Sequence, residues 1–160
     1  MNVKMAVKTN AMRILDKAKI SYVLKEYPLN GLEPAVDVTE YLGITRDDLF
    51  KTLVTTDLHG GYYVFCIQSS RELDLKKAAS TVGVKKIEML KQKDLLKLTG
   101  YIHGGCSPIG MKKLFPTVVD SRALDKDKIV ISGGKVGVLI EIDPHILEST
   151  AKARYASVIK

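Results

Sequence analysis

The spacing of apolar positions changes several times along the chain, and each change predicts an element. Ala11, Ile14, Leu15 and Ala18 recur at helical spacing behind Thr9, whose hydroxyl suits a helix N-cap. SYVLKEY (21–27) predicts a strand, and PLNGLEP (28–34) reads as a turn-rich loop. Residues 35–42 look helical and are closed by Gly43, while Thr45 with Asp48 predicts a capping box on a very short helix. FKTLVTTD (50–57) and YYVFCIQ (62–68), joined through LHGG, predict a β-hairpin.

Asp74 can cap a helix through Val82, closed by Gly83. A strand near 84–89 and a lysine-rich helix near 92–98 follow, then a strand at FPTVVD (115–120). KIVIS (128–132) and KVGVLIEI (135–142) predict a second hairpin, with Gly133-Gly134 as its two-residue turn. Asp143-Pro144 is a helix start. The pattern predicts a mixed α/β fold in a single domain over residues 1–160: a largely antiparallel, barrel-like sheet with peripheral helices.

The composition fits that picture. Of 160 residues, 46% are hydrophobic and 27% charged, as in an ordinary domain with a full core. No apolar run is long enough to span a membrane, and MNVKMAVKTNAM lacks the apolar stretch of a signal peptide. No membrane partner is expected, and a cytoplasmic location is. Cys66 and Cys106 form no CxxC pair, which suits a reducing compartment. His59, His103 and His145 match no metal spacing, so neither metal nor cofactor is expected.

Charge adds a direction. The net charge is +7, and residues 71–113 carry ten Lys/Arg against four acids. Such a segment reads as a footprint for a polyanion, nucleic acid first, although solvated helix faces would explain the lysines taken singly.

The segment TGYIHGGCSPIGMKK (99–113) is the main candidate for chemistry. Gly100, Gly104, Gly105 and Gly110 lie within eleven residues, and such a loop can aim several N–H groups at one point. A tight connection between a helix and a strand explains the same glycines. Their spacing is neither a phosphate-binding nor a dinucleotide fingerprint. Cys106 is a nucleophile only if given a base, and His103 three residues away guarantees none. Cys66, between Phe65 and Ile67, reads as a small core residue.

Lys51 starts a strand among apolar Phe50, Leu53 and Val54, with Thr52 on the opposite face. It either grips a phosphate or carbonyl or snorkels to solvent. Ser132 is either a ligand hydroxyl or a turn residue.

KTNAMRILDKAKISYVLKEY, DLFKTLVT, ELDLKKAA, GVKKIEML, TGYIHGGCSPIGMKKLFPTVVD and ISGGKVG, in that order, resemble the YbaK/EbsC family. These are free-standing relatives of the editing domain in bacterial prolyl-tRNA synthetases, and the likeness runs over roughly residues 8–150. The resemblance implies deacylation of mischarged tRNA, Cys-tRNA(Pro) above all, on a mixed α/β fold built round a barrel-like sheet. It places the essential lysine at Lys51, beside Thr52, and the pocket loop at Gly104, Gly105, Ser107, Pro108 and Gly110. Tyr27 and Ser132 match polar pocket positions. The substrate's own thiol is the implied nucleophile, with no cofactor.

The implied partner is the mischarged tRNA, held at its 3′ CCA end and along its backbone by basic residues such as Lys112 and Lys113. A prolyl-tRNA synthetase is a further candidate partner, and the oligomeric state is left open. Some relatives carry an acid where this chain has Leu139, which leaves the amino acid removed open. Two other readings stand beside this one: a tRNA- or nucleotide-binding module without turnover, and a cysteine hydrolase using Cys106.

Overall fold

The computed structural model describes residues 8–29 and 38–160. Helix α1 (Asn10–Lys17) starts where Thr9 accepts a hydrogen bond from the Met12 N–H, and its inner face buries Ala11, Met12 and Leu15. There follow β1 (Val23–Glu26), α2 (Val38–Leu42), β2 (Phe50–Thr56) and β3 (Tyr62–Gln68). Next come α3 (Leu75–Val82), β4 (Glu88–Met89), α4 (Gln92–Thr99) and β5 (Thr117–Asp120). The chain ends with β6 (Ile129–Lys135), β7 (Val138–Ile142), α5 (Leu147–Thr150) and β8 (Arg154–Ala156).

The strands form two sheets, ordered β1-β7-β6 and β4-β2-β3-β5-β8. They meet where Leu49 bridges Val130 and the Val130 N–H donates to the Asp48 carbonyl at 2.8 Å. The sheet is thus joined at one point and not closed. One core packs α1 against β6 and β7 through Leu15, Phe50, Ile131 and Ile140. Another packs Ala78 and Ala79 of α3 on Phe65, Ile67 and Val118. A third, of Val54, Val64, Tyr101, Cys106 and Phe115, supports the glycine loop, with Leu95 and Leu98 of α4 against it. Each large side chain buried here contributes about 1.5–3 kcal/mol.

The sheet is more mixed than the hairpin pattern predicts. β5 lies parallel to both β3 and β8, because the stretch between β3 and β5 crosses back through α3 and α4. β8 escaped the sequence reading, being three residues of a short polar-apolar alternation. Thr45 caps only a turn: its hydroxyl accepts the Asp48 N–H at 3.3 Å, and Asp48 leads directly into β2. β4 is two residues long instead of six. The C-terminal helix is a 3-10 turn over Pro144–Ile146 followed by α5.

The second hairpin turns at Val136-Gly137, not at Gly133-Gly134. Those two glycines sit inside β6 as an irregularity between Ser132 and Lys135. Gly134 takes φ +100, and the Gly133 carbonyl accepts from the Thr9 hydroxyl, a bulge that ties the strand to the start of α1. Of the loop and helix expected over 28–42, residues 30–37 lie outside the described part.

Candidate functional site

Between the two sheets the middle of β2's outer edge has no paired strand among the described residues. On that edge β2 is held at its two ends: the Asp48 carbonyl accepts from Val130, and the Val54 carbonyl accepts from Leu90 at 2.9 Å. Backbone groups alternate sides along a strand, so the N–H and C=O of Thr52 project from the same edge. Among the described residues no strand pairs there between Leu49 and Thr55.

A cavity of about 440 Å³ fills the gap, lined by every residue from Leu49 to Val54. Leu95 of α4, Leu139 of β7, Ser132 of β6 and Tyr27 close its other sides, and His103, Gly104 and Cys106 bring in the glycine loop.

Five expected site residues therefore share one cavity: Tyr27, Lys51, Thr52, Gly104 and Ser132. Lys51 is half-buried and makes no ion pair or hydrogen bond among the described residues. Among the described residues that line the cavity none is an acid, so none of them neutralises the Lys51 ammonium. Thr52 faces the Cys66 thiol at 3.8 Å. The Ser132 hydroxyl accepts the Gly134 N–H at 3.1 Å and lies in register with Leu139.

The glycine loop divides into a front and a back. Gly104 is exposed and lines the cavity with φ +84. The N–H groups of Gly104 and Cys106 donate to no acceptor among the described residues. The Gly105 N–H is already committed to the Ile102 carbonyl at 2.9 Å. Gly105 is buried against the β6–β7 turn, where a Cβ would stand 2.8 Å from the Val136 nitrogen.

Ser107, Pro108 and Gly110 form the back of the loop and do not reach the cavity. The buried Ser107 hydroxyl accepts the Ile109 N–H at 3.2 Å, and the Tyr101 hydroxyl donates to the Ile109 carbonyl at 2.6 Å. The Asn10 amide of α1 donates to the Gly110 carbonyl at 2.8 Å. A Cβ on Gly110 would meet Asn10 and Tyr101 at 2.9 Å.

Cys106 is at the cavity wall but chemically quiet. Burial pushes its thiol up to about 11, with a Thr99 hydrogen bond pulling the other way, so it is protonated at neutral pH. Cys66, buried in β3, is pushed up to about 12, again mainly by burial. Lys112 and Lys113 are exposed and outside the cavity. Lys112 packs over Gly100 and reaches the Lys97 carbonyl at 3.4 Å, a cation at the C-terminus of α4.

Sequence reasoning missed the α4 wall and the open β2 edge. Leu95 and Leu98, three apart on a lysine-rich helix, signalled an inward face. The missing strand partner had no local signal. Among the described residues no group of three or more His, Cys, Asp or Glu could hold a metal, and no helix is long and apolar enough to cross a membrane.

A family model of the aminoacyl-tRNA editing domain matches residues 31–149. The chain belongs to this family. It is 46% identical to EbsC of Enterococcus faecalis, a protein named provisionally as a Cys-tRNA(Pro)/Cys-tRNA(Cys) deacylase, over 94% of this chain and 93% of that one. A proline–tRNA ligase of Maridesulfovibrio salexigens is 32% identical over 61% of the chain, which there corresponds to 19% of the enzyme.

The fold recurs in solved structures. One is described provisionally as a trans-editing enzyme for prolyl tRNA synthetase, with TM-score 0.80 and 24% identity over 96% of this chain and 99% of that one. Another, of a protein described only as hypothetical, gives TM-score 0.84 and 23% identity over 95% and 100%.

Proposed function

We propose that this chain is a free-standing editing enzyme that removes the amino acid from mischarged tRNA, with Cys-tRNA(Pro) as its substrate. The observation that carries the reading is Lys51, which makes no ion pair or hydrogen bond among the described residues and stands beside the open edge of β2, in a cavity whose described lining holds no acid. That cavity suits the ester end of a charged tRNA: a small uncharged amino-acid side chain against Val54, Leu95 and Leu139, and the ribose and phosphate toward the cation.

In this reading the substrate thiol attacks its own ester carbonyl. A carbon–sulfur bond forms, the bond to the ribose oxygen breaks, and the thiol proton passes to that oxygen. The products are a four-membered thiolactone and a free tRNA 3′ end. The N–H groups of Gly104 and Cys106 receive the developing oxyanion, a device whose loss costs on the order of 10²–10³ in rate per donor. Thr52 offers its edge N–H and C=O to the aminoacyl group. Lys51 supplies the charge, Tyr27 and Ser132 bound the adenosine side, and Gly105, Ser107, Pro108 and Gly110 hold the loop in place.

The need for such an enzyme follows from size. Cysteine and proline are similar in bulk, and a synthetase pocket separates such side chains by only about 1–3 kcal/mol. A prolyl-tRNA synthetase is thus the partner that produces the substrate, and the cytoplasm is where both act.

The experiment is single-turnover deacylation of a panel of mischarged tRNAs. Rapid loss of the cysteinyl ester against stable controls supports the reading. Survival of every ester at its blank rate favours a binding module, and rapid loss of a different ester changes the amino acid assigned.

A further inference from the structure

A second cavity, of about 370 Å³, lies on the other side of Tyr27, which lines both. The two are also coupled through the β6–β7 turn. Lys135, Val136 and Gly137 line the second cavity, while the back of Gly105 rests on Lys135 and Val136. The two cavities are thus neighbours that share the Tyr27 side chain as a wall.

The lining has the chemistry of a nucleotide site. Tyr41 is 52% exposed and Leu29 61% exposed, and both line this cavity, which gives it an aromatic ring and an aliphatic side chain open to a ligand. Exposed aromatics beside a cation are how single-stranded nucleic acid is held, by stacking and by phosphate contact. Lys135 is the cation, exposed and without a partner among the described residues.

Glu26 gives the base preference. Strand alternation puts it on the face of Leu24, and both line the cavity. It is half-buried and makes no hydrogen bond or ion pair among the described residues. A carboxylate repels phosphate but accepts from an exocyclic amine, and among pyrimidines only cytosine presents one.

We propose that this cavity binds the cytidine immediately 5′ of the terminal adenosine, with the base on Tyr41 and Leu29, its amine on Glu26 and its phosphate at Lys135. The proposal rests on the editing reading for the occupant of the first cavity, and it makes the protein a reader of the single-stranded end.

The test pairs binding with turnover. Binding of an uncharged acceptor-stem RNA ending in CCA is followed by anisotropy for the wild type, Tyr41→Ala, Lys135→Ala and Glu26→Gln. Single-turnover deacylation is followed on the cysteinylated RNA and on 3′-O-cysteinyl-adenosine, which lacks the cytidine. Tyr41→Ala and Lys135→Ala should weaken RNA binding about tenfold. The wild type should prefer cytidine to uridine at the penultimate position, and Glu26→Gln should narrow that preference.

In turnover the variants should need more enzyme to saturate on the RNA, with the effect absent on cysteinyl-adenosine. Unchanged RNA binding in all three variants, or no cytidine preference, overturns the subsite. Equal losses on both substrates also overturn it. If binding responds as expected but the wild type cleaves neither substrate, the subsite stands and the editing reading fails.

Discussion

Gly105 and Val136 are in backbone contact, so close that a Cβ on Gly105 would stand 2.8 Å from the Val136 nitrogen and 3.0 Å from the Lys135 carbonyl carbon. Neither atom can swing away as a side-chain tip could. The glycine loop is seated on the β6–β7 turn, and this seat fixes where Gly104 and Cys106 meet the cavity.

Gly105→Ala should therefore destabilise the protein by about 1–3 kcal/mol, the usual cost of overpacking, and slow turnover with it. Gly104→Ala meets only Val136 Cγ2, at 3.6 Å. Its cost is that of forcing alanine to φ +84, about 1–2 kcal/mol. Urea titration of both variants checks the two values. A Gly105→Ala protein as stable as the wild type would mean that the turn yields.

Cys106→Ala should keep most activity, because alanine preserves the N–H and the thiol, pushed up to about 11 by burial, carries almost no thiolate at pH 7. Iodoacetamide labelling of the native protein should be slow at neutral pH and quicken toward pH 11. Loss of turnover in Cys106→Ala, with rapid labelling at pH 7, would make the cysteine a nucleophile.

Stability should fall in alkali. Burial raises Cys106 to about 11 and Cys66 and Tyr101 to about 12. Each group holds its proton more tightly folded than unfolded, so its contribution is complete below the ordinary thiol value of 9.0. The contribution is lost as pH rises from there through the folded values. Thermal melts from pH 8 to 12 should show a plateau, then a decline beginning near pH 9. A midpoint that rises across that range would contradict the burial of these groups.

The local elements were legible because their signals are local. Thr9 and Asp74 each cap the predicted helix, and Gly83 closes one in the left-handed region. Lys51, Gly104 and Ser132 could be marked one by one from their neighbours in sequence. What sequence could not give was their meeting place. The cavity opens where, among the described residues, β2 has no strand partner between Leu49 and Thr55, a fact about strand order that no residue in β2 encodes. Gly133-Gly134 misled for a related reason: as a turn it satisfies local rules, but Thr9 and Tyr101 from distant segments hold it as a bulge. The resemblance places Gly105 in the pocket loop, whereas a Cβ there would face the β6–β7 turn.

Binding to tRNA should weaken steeply with salt, each neutralised phosphate adding a little under one unit to the slope of log K against log salt. Lys113 makes no hydrogen bond or ion pair among the described residues, whereas Lys112 also packs on Gly100 and reaches Lys97. Lys113→Ala should flatten the slope with little change in stability, and Lys112→Ala should do so while loosening the end of α4. Unchanged slopes in both would move the footprint to the lysines of α3 and α4.

The central claim is that Lys51 and the open edge of β2 cleave a mischarged ester, and single-turnover deacylation of Cys-tRNA(Pro) by wild type and Lys51→Ala tests it most directly. A charged hydrogen bond in a partly desolvated site is worth roughly 1.5–3 kcal/mol. The wild type should clear the ester far above the blank, and Lys51→Ala should be slower by about ten- to more than a hundredfold. A wild type no faster than the blank, or a Lys51→Ala protein as fast as the wild type, would contradict the account.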